Sequence, residues 1–361
     1  MSPSAAHADV RIDDLETPMV AVDLGRVDRN IAALQAYCDE HGLANRPHIK
    51  THKLPFVAHR QLAAGASGIT VQKLGEAEVM IAAGIDDLLI TYNVVGSAKA
   101  ERLARIARMA KIQVGVDNRV ALETVATAAD RAQRDIGVLI EFESTKRRQG
   151  VHDPAEALAL ARLVENSPFL RFRGLMTYPS SPASVDWIDR ARALFDDAGI
   201  AIETVSGGGT PSMWEAHEIA GLTEYRAGTY VYHDRKTVGA GVATFDDCAL
   251  HVHATVVSAP SEDRVVIDAG SKSLTSDTVP PDVGSGYGRI LEHAEAVIAE
   301  LSEEHGVVDI SACERRPSIG DRVRIVPNHV CPVSNLFDEV HLHRDGVFEA
   351  VVPVAARGKV R

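Results

Sequence analysis

Short apolar segments alternate with longer segments of helical periodicity between about Ala21 and Asp234. The apolar segments predict strands at Pro47–Thr51, Gly68–Gln72, Asp87–Asn93, Ile112–Asp117, Ile136–Phe142, Phe172–Tyr178, Ile202–Gly207 and Tyr225–Tyr232. Apolar residues recur every three or four positions between them, which is typical of helices that bury one face, in Leu54–Ala64, Leu74–Ala83, Ala98–Met109 and Pro154–Val164. Strands that each alternate with a helix favour an α/β fold, a parallel (β/α)8 barrel of the TIM type. A doubly wound open sheet is the alternative.

The pattern changes after Gly241, where short β-branched segments are separated by turn residues. We predict strands at Leu250–Ser258, Arg264–Asp268, Asp321–Val326, Glu339–Leu342 and Phe348–Val354, and one helix near Leu291–His305. Thr17–Asp23 also has the pattern of a strand. The sequence therefore predicts a barrel domain over residues 24–240 and a second, β-rich domain formed by residues 1–23 and 241–361.

Composition narrows the class of protein. The chain has 361 residues and a formal net charge of −12, so it lacks the basic surface that nucleic-acid binding requires. Met1–Val10 has no apolar core of a signal peptide, and no apolar run is long enough to span a bilayer. The four cysteines are scattered, as expected for reduced thiols in a cytoplasmic protein.

Polar side chains recur where the predicted barrel strands end. TIM-type barrels place their active sites at this end of the strands. The positions concerned are Lys50, Gln72, Asn93, Asp117, Arg148, Tyr178, Ser206–Thr210 and Tyr230. So many polar groups at strand ends favour a functional site over a purely structural barrel.

Lys50 ends the first predicted strand within the segment RPHIKTHK. A lysine that enters an apolar barrel mouth is partly desolvated, and its neutral amine can then attack a carbonyl group. An ordinary surface lysine is the alternative, and Lys53 is a competing candidate that should face the following helix.

The segment SGGGT at Ser206–Thr210 ends the seventh predicted strand, and a helix is predicted to start at Pro211. Glycines let backbone N–H groups approach an anion closely, and TIM-type barrels often bind phosphate after strands seven and eight. Arg226–Tyr230 would supply the other half of such a site. A tight turn without a ligand is the alternative.

His329 and Cys331 are separated by one residue in the β-rich region. In an extended segment their side chains point the same way, and imidazole with thiolate suits Zn²⁺ better than Mg²⁺ or Ca²⁺. Two ligands would leave positions open for water or substrate. A buried histidine beside a small apolar cysteine is the alternative.

Several segments together resemble one family, the fold-type III pyridoxal-phosphate (PLP) enzymes of the D-threonine aldolase and D-serine dehydratase group. They are RPHIKTHK, GITVQKLGEAEVMIAAGIDDLLITYNVVG, SGGGTPS, TEYRAGTYVYHD, VVIDAGSKS and VPNHVCPVSNLFDEV, in this order. The similarity extends from about Thr17 to the segment ARGKV.

The resemblance implies that Lys50 forms the Schiff base with PLP and that Arg148 faces the pyridine ring. An arginine there would leave the ring nitrogen unprotonated, and the cofactor would then be a weak electron sink. A metal ion bound to the substrate hydroxyl group could compensate for this weakness by stabilising negative charge on its oxygen. The residues expected around the cofactor, mostly around its phosphate, are Gln72, Tyr178, Ser206, Gly208, Gly209, Thr210, Gly228 and Tyr230. It further implies a divalent ion at His329 and Cys331, zinc before manganese or magnesium, and a homodimer in which one subunit's β-rich domain borders the other's active site.

Two departures from the family pattern bear on the reaction. Aldolases of the family commonly have Tyr-His-Gly after the sixth strand, whereas this chain has Tyr178-Pro179-Ser180 and lacks that histidine. Its His-x-Cys pair resembles the D-serine dehydratases, while the segments QK, NVVG and NLFD resemble the aldolases.

The leading prediction is a lyase that cleaves Cα–Cβ of small D-β-hydroxy-α-amino acids to glycine and an aldehyde. The alternative is a dehydratase acting on D-serine or D-3-hydroxyaspartate. A racemase would need a second base and no metal, and a PLP-carrier protein would consist of the barrel alone.

Overall fold

A computed structural model of the protein describes residues 10–361. Residues 1–9, on which most of the signal-peptide prediction falls, lie outside the described residues. Two compact units are present. The barrel unit contains Ala32–Lys50, Leu54–Gly228 and Gly358–Arg361, and the sheet unit contains 10–31, Thr51–Lys53 and Thr229–Arg357. The domain bounds predicted from sequence at residues 24 and 240 stay a prediction.

The barrel unit is built on a parallel sheet. Strand β1 (Met19–Asp23) and helix α1 (Leu24–Glu40) precede it along the chain. Its strands within the described residues are β2 (Ala44–Asn45), β3 (Ile69–Val71), β4 (Asp87–Ile90), β5 (Lys111–Val116), β6 (Ile136–Glu141), β7 (Leu170–Met176), β8 (Thr204–Gly207) and β9 (Glu224–Tyr225). β2 pairs with β9, and a bridge from His48 to Thr70 links the chain after β2 to β3. These pairings close the sheet, so the predicted (β/α)8 barrel is confirmed.

Helices follow the strands as the periodicity predicts. They are α2 (Pro55–Ala63), α3 (Leu74–Ala82), α4 (Ser97–Ala107), α5 (Arg119–Ala132), α6 (Pro154–Glu165) and α7 (Val185–Asp197). Local sequence fixes several of their starts: the Asn118 side chain accepts a hydrogen bond from the Ala121 N–H, and Asp153 caps α6 with Pro154 in its first turn. Inside the barrel, Leu89, Leu139 and Met176 pack together.

The barrel departs from the prediction in its first and last strands. The first strand is Ala44–Asn45 rather than Pro47–Thr51, and the chain turns at Lys50. The predicted strand Tyr225–Tyr232 is wrong beyond Tyr225, because the N–H groups of Tyr232 and His233 bond to the Thr229 carbonyl and form a 3-10 turn. The helix predicted from Pro211 is a 3-10 helix, Thr210–Glu218.

The sheet unit contains the predicted β-rich structure. Its elements after the barrel are α8 (Arg235–Gly239), β10 (Leu250–Ser261), β11 (Arg264–Ile267), α9 (Ser271–Leu274), β12 (Arg289–Ile290), β13 (Val297–Leu301), β14 (Gly306–Asp309), β15 (Arg322–Val326), α10 (Val330–Leu336), β16 (Glu339–Arg344) and β17 (Val347–Pro353). The strands run in the order β13-β14-β11-β10-β1-β16-β17, with β15 against β10. The N-terminal strand β1 thus lies between β10 and β16, as expected for a segment that joins this domain.

The helix predicted at Leu291–His305 is wrong. Leu291 donates its N–H to the Arg324 carbonyl, and Val297–Leu301 forms β13, which pairs antiparallel with β14. Pairing across the sheet overrides the local helical periodicity here. Strands β12, β13 and β14 were not predicted for the same reason.

Two further expectations concern the whole described chain. No helix within residues 10–361 is long and apolar enough to cross a membrane. The four cysteines, which all lie within residues 10–361, form no disulfide bond with one another.

Candidate active site and metal centre

Lys50 lies in a pocket of the barrel unit formed at the ends of the parallel strands. Its Nζ is 4.9 Å from the centre of the Tyr178 ring, and the guanidinium carbon of Arg148 is 5.3 Å from the same centre. The pocket is lined by His48, Lys50, Gln72, Thr91, Glu141, Arg148, Met176, Tyr178 and Arg226. The structure therefore brings together four of the residues predicted from sequence: Lys50, Gln72, Arg148 and Tyr178.

The buried imidazole of His48 supports the backbone at Lys50. Its Nδ1 accepts the Lys50 N–H at 3.2 Å, and its Nε2 lies 3.1 Å from Oε1 of Gln72. Because the first bond requires a lone pair on Nδ1, the neutral ring carries its proton on Nε2 and donates it to Gln72. Gln72 in turn donates to the Thr91 carbonyl at 3.1 Å. Gln72 thus holds the segment that carries Lys50.

Lys53, the competing lysine, belongs to the sheet unit. It is buried, and its Nζ donates to the Ala356 carbonyl at 3.3 Å. Its amine is therefore engaged with the backbone, whereas Lys50 lines the barrel pocket. This difference favours Lys50 as the reactive amine.

Arg148 extends from an exposed loop toward the buried carboxylate of Glu141, with 4.0 Å between Nη2 and Oε1. Burial raises the pKa of Glu141 to about 6, although the Gln149 hydrogen bond and the charges of Arg226 and Arg148 act in the opposite direction. The Gln149 Nε2 donates to Oε2 of Glu141 at 2.5 Å. The carboxylate thus orients both residues that precede Gly150.

Asn93 and Asp117 end strands as predicted but do not line the pocket. Asn93 donates to Oδ1 of Asp117 at 2.8 Å, and Oδ2 of Asp117 accepts the Gly150 N–H at 2.9 Å. They therefore hold the loop that carries Arg148.

The Ser206–Thr210 segment contains both engaged and unengaged polar groups. Ser206 donates its hydroxyl to Glu224 at 2.6 Å and accepts from Nε of Arg226 at 2.7 Å, and Gly208 donates its N–H to Ser180 at 3.0 Å. The Thr210 hydroxyl, by contrast, is buried without a hydrogen-bond partner among the described residues. A buried hydroxyl of this kind requires a partner to offset its desolvation.

Glycine is required at two positions beside Thr210. A side chain on Gly208 would come within 2.9 Å of the Arg226 carbonyl oxygen, and Gly209 has φ of +129°. The backbone therefore packs closely against the segment that carries Arg226, and a side chain at either position would strain it.

Gly228 and Tyr230, also predicted near the cofactor, fall in different units. Gly228 is buried in the barrel unit, and Tyr230 is fully buried in the 3-10 turn Thr229–Val231 of the sheet unit. The predicted role of both residues stays a prediction.

His329 and Cys331 lie together in the sheet unit, at the start of α10. Nδ1 of His329 is 2.7 Å from Oδ2 of Asp277, so Nε2 is the ring nitrogen that this carboxylate does not contact. Burial alone would lower the pKa of His329, but the hydrogen bonds and charges of Cys331 and Asp277, with Asp234, raise it to about 9.

The Cys331 thiol is also held by hydroxyl groups. Its Sγ lies 3.2 Å from Oγ1 of Thr51 and 3.7 Å from Oγ1 of Thr229. Among residues 10–361 no cluster of three or more His, Cys, Asp or Glu side chains could hold a metal ion. The structure brings the two predicted ligands close together and places Asp277 beside His329, as a carboxylate that orients a histidine ligand would lie, and the metal site stays a prediction.

Sequence reasoning missed several residues of both sites. Glu141 is the last residue of β6. The rule that active-site residues lie at the ends of barrel strands (the strand-end rule) would have identified it if the predicted strand had ended one residue earlier. His48 stands two residues before Lys50 in RPHIKTHK. Asp277 lies in a loop about fifty residues before His329, and nothing in the sequence pattern indicates it.

Comparisons with known proteins agree with this geometry. A family model described as alanine racemase, N-terminal domain, matches residues 22–236, and one described as a putative serine dehydratase domain matches residues 249–343. A D-threonine aldolase from Arthrobacter sp. is 39% identical over 99% of this chain and 96% of its own length.

Two solved structures are similar over nearly the whole chain. The D-threonine aldolase from Filomicrobium marinum has a TM-score of 0.90 and 31% identity, covering 99% of this chain and 100% of that one. The D-threo-3-hydroxyaspartate dehydratase from Delftia sp. HT23 has a TM-score of 0.83 and 30% identity, covering 96% and 99%. A cysteine-to-alanine variant of a D-threo-3-hydroxyaspartate dehydratase, described as the metal-free form, matches equally well.

Proposed function

This chain belongs to the alanine racemase N-terminal-domain family, in the group of D-threonine aldolases and D-threo-3-hydroxyaspartate dehydratases, and we propose that it is a PLP- and metal-dependent lyase that cleaves Cα–Cβ of small D-β-hydroxy-α-amino acids. An enzyme of the lyase class agrees with both kinds of relative. The observation that carries the proposal is the Lys50 amine, which lies in the barrel pocket beside Tyr178 and Arg148.

The residues of the barrel unit fit PLP. Lys50 supplies the amine for the carbonyl carbon of the cofactor, and Tyr178 supplies an aromatic face beside it. Arg148 is the residue we assign to the pyridine ring. The unpartnered Thr210 hydroxyl and the close-packed backbone at Gly208 and Gly209 suit its phosphate. The other cofactor contacts predicted from sequence (Gln72, Ser206, Gly228 and Tyr230) are part of the same proposal.

The residues of the sheet unit fit a divalent ion. His329 Nε2 and Cys331 Sγ are the ligands we propose, with Asp277 holding the imidazole. A related cysteine-to-alanine variant is described as the metal-free form, which supports a metal ion in this family. When bound, PLP supplies an electron sink for negative charge at Cα, and the ion supplies positive charge for the β-hydroxyl oxygen.

The chain's own groups have definite tasks in this reaction. With PLP bound, the Lys50 amine would lie near Cα and would be the group that returns a proton to it as glycine forms, which balances the proton lost from the β-hydroxyl group. His48 and Gln72 keep the Lys50 backbone in place, so the amine meets the cofactor in one position. Arg148, held near Glu141, is the residue that would face the pyridine ring, where its positive charge would disfavour protonation of the ring nitrogen.

Dehydration is the second candidate, because the His-x-Cys pair resembles the dehydratases and a D-threo-3-hydroxyaspartate dehydratase is among the similar structures. In that reaction Lys50 removes the Cα proton, and the hydroxyl leaves from Cβ. Both candidates need the same residues.

One substrate separates the two candidates. We would incubate the PLP-loaded enzyme with D-threo-3-hydroxyaspartate and assay the products. Aldol cleavage gives glycine and glyoxylate, whereas dehydration gives oxaloacetate and ammonia. D-threonine and D-serine serve as parallel substrates, with glycine from the first supporting the aldolase and pyruvate from the second supporting the dehydratase. Racemised amino acid without cleavage would contradict both.

The finer features belong to the same proposal. We assign zinc to the ion because thiolate and imidazole favour it, with manganese or magnesium as alternatives. A homodimer and a cytoplasmic location complete the proposal, and sedimentation of the purified enzyme tests the first of these.

A further inference from the structure

Residues 327–331, which we call the metal segment, contain both candidate ligands, and the start of α8 lies against them. Asp234 accepts the Val330 N–H on Oδ2 at 3.1 Å. Val330 stands between the two candidate ligands, His329 and Cys331. The proposed function gives Asp234 no role, although its side chain reaches the middle of the metal segment.

The backbone changes conformation at Val330. His329 is extended, with φ of −148° and ψ of 110°, whereas α10 begins at Val330. In a fully extended segment residues two apart point the same way, but here Cys331 already belongs to a helical turn. The approach of the imidazole to the thiol therefore depends on the orientation of the peptide group between His329 and Val330. The hydrogen bond to Asp234 fixes the N–H of that peptide group.

Asp234 is itself firmly held. It is 1% exposed, and its Oδ1 accepts the Thr237 N–H at 2.9 Å, which caps α8. The Thr237 hydroxyl accepts the Asp234 N–H and donates to the Asp234 carbonyl, both at 2.8 Å. Each carboxylate oxygen of Asp234 therefore accepts a backbone N–H. A hydrogen bond from a backbone N–H to an ionised carboxylate is stronger than one between neutral groups, so the bond to Val330 is a firm constraint.

The next residue of the chain, Arg235, contacts the start of the metal segment. Its N–H donates to the Pro327 carbonyl at 3.1 Å, and its guanidinium donates to Oδ1 of Asn328 at 3.3 Å. Asn328 is fully buried and donates from Nδ2 to the Asp277 carbonyl at 2.8 Å. The start of α8 is thus linked through Asn328 to the loop whose carboxylate contacts His329.

We propose that Asp234 is a positioning residue for the metal ion, because its carboxylate holds the Val330 N–H so that the two candidate ligands converge on one ion. This inference rests on the proposed function, since it concerns the same ion. Asp277 orients the imidazole ring and Asp234 orients the backbone between the ligands, so the two carboxylates act at different points.

Asp234→Asn tests the carboxylate end of this hydrogen bond. Asparagine also caps helices, so its single oxygen can keep the Thr237 N–H, and its amide nitrogen then faces the Val330 N–H. The Zn²⁺ affinity of the PLP-loaded enzyme is measured by competition with a chromogenic chelator, and Co²⁺-minus-Zn²⁺ difference spectra report the coordination. We expect the affinity to fall about tenfold, as for other outer-shell partners, and the thiolate–Co²⁺ absorption to shift or weaken.

Val330→Pro removes the other end of the same hydrogen bond. Val330 is the first residue of α10, where proline is tolerated, and the extended backbone of His329 suits a residue that precedes proline. The Zn²⁺ affinity should fall by a similar factor. The double variant should lose little more than either single variant, because both changes remove one interaction.

Thr237→Val is the matched control. It removes a side chain that bonds to the backbone of Asp234 at the same helix start, but it leaves the carboxylate bond to Val330 in place. Its Zn²⁺ affinity and Co²⁺ spectrum should equal those of the unaltered enzyme. Urea unfolding of each variant checks the fold, and Val330→Pro decides the question if Asp234→Asn does not fold.

The outcomes separate this inference from the proposed function. An unaltered enzyme that binds no Zn²⁺ would overturn both the metal-dependent reaction and this inference. Zn²⁺ binding by the unaltered enzyme, with the same affinity and Co²⁺ spectrum in Asp234→Asn and Val330→Pro, would overturn the inference alone. Equal losses in these variants and in Thr237→Val would also overturn it, because the effect would then come from α8 in general.

Discussion

In the barrel unit the candidate pocket is formed by side chains at the ends of separate parallel strands, whereas in the sheet unit the candidate metal pair occupies a single short segment before α10. The barrel groups are joined by many hydrogen bonds, such as those of Ser206 with Glu224 and Arg226. His329 depends on one carboxylate, Asp277, and Cys331 on hydroxyl groups. The position of the side chains in the barrel pocket is thus determined by the whole sheet, whereas the position of the candidate metal pair is determined by a few local contacts.

This difference has a consequence for ligand binding. A pocket whose shape comes from eight strands should hold PLP whether or not the ion is bound. The pair, in contrast, should respond strongly to any change in its few supporting atoms. Each prediction below tests one side of this contrast.

The largest effect is expected for Lys50→Ala. Loss of the amine removes the covalent link to PLP, and the lost proton transfer alone should lower turnover by roughly 10²–10⁴-fold. Borohydride reduction followed by peptide mapping of the unaltered enzyme should find the pyridoxyl group on Lys50. Lys53→Gln is the matched control and should keep that label. A pyridoxyl group on Lys53 would refute the assignment.

The next effect is expected at the metal pair. EDTA should remove turnover while the visible absorption of bound PLP persists, because the two sites are built from different residues. Cys331→Ala should have the same effect, and Cys313→Ala, which removes another thiol of the sheet unit, should not. Asp277→Asn should cost roughly 10–100-fold in metal affinity, as outer-shell partners of histidine ligands commonly do.

Exchange of the ligand type sharpens this result. Cys331→Asp offers a harder oxygen atom, so the metal preference should move from Zn²⁺ toward Mn²⁺ or Mg²⁺. Elemental analysis with activity measured for each ion would show it. Full turnover in EDTA, with no metal in the protein, would instead favour a racemase.

The same contrast explains which parts could be predicted from the sequence. The alternation of strands and helices along the chain identifies the barrel. The strand-end rule then selects Lys50, Gln72, Arg148 and Tyr178 from the sequence alone. The rule also selects Asn93 and Asp117, which support a loop instead, since a strand end gives the position of a side chain but not its hydrogen-bond partners.

In the sheet unit the predictions depended more on pairing between distant segments. The helicity expected at Leu291–His305 was overridden by the pairing of β13 with β14, which local periodicity does not contain. Asp277 was not predicted because a loop residue approaches His329 only in the folded chain. The candidate pair His329 and Cys331 could be proposed from the sequence because its two residues are close together along the chain.

A smaller effect is expected for Thr210→Val, in the segment that follows β8 in the barrel unit. The change keeps the shape of the side chain but removes the hydroxyl that lacks a partner. Affinity for PLP should fall by about tenfold to a hundredfold, with little change in the free energy of unfolding of the cofactor-free protein. Thr204→Val, at the other end of β8, is the control. An unchanged PLP titration would exclude Thr210 from the phosphate site.

The smallest effect concerns the pH dependence of the free energy of unfolding. It compares the contribution of Glu141 in the barrel unit with that of a histidine in the sheet unit. Burial raises the pKa of Glu141 from an ordinary value of 4.5 to about 6. The folded protein therefore binds the carboxyl proton of Glu141 more tightly than the unfolded chain does. This difference stabilises the fold below pH 4.5, and the stabilisation is lost as the pH rises through 6. The shift in pKa corresponds to about 2 kcal/mol in the free energy of unfolding. Glu141→Gln has no charge to bury, so it should raise the free energy of unfolding by this amount at pH 7 but not at pH 4.5.

His253 should show the opposite dependence. Burial lowers its pKa to about 4, so its contribution is present above pH 6.5 and lost as the pH falls toward 4. Urea unfolding of the Glu141→Gln and His253→Gln variants, followed between pH 4.5 and 7.5, should therefore give differences from the unaltered protein that change in opposite directions. If Glu141→Gln gave the same change at every pH, the carboxyl group would keep one charge state throughout, and its raised pKa would be wrong. If the two variants changed in the same direction, the predicted contrast between the buried carboxyl group of the barrel pocket and the buried imidazole of the sheet unit would be wrong.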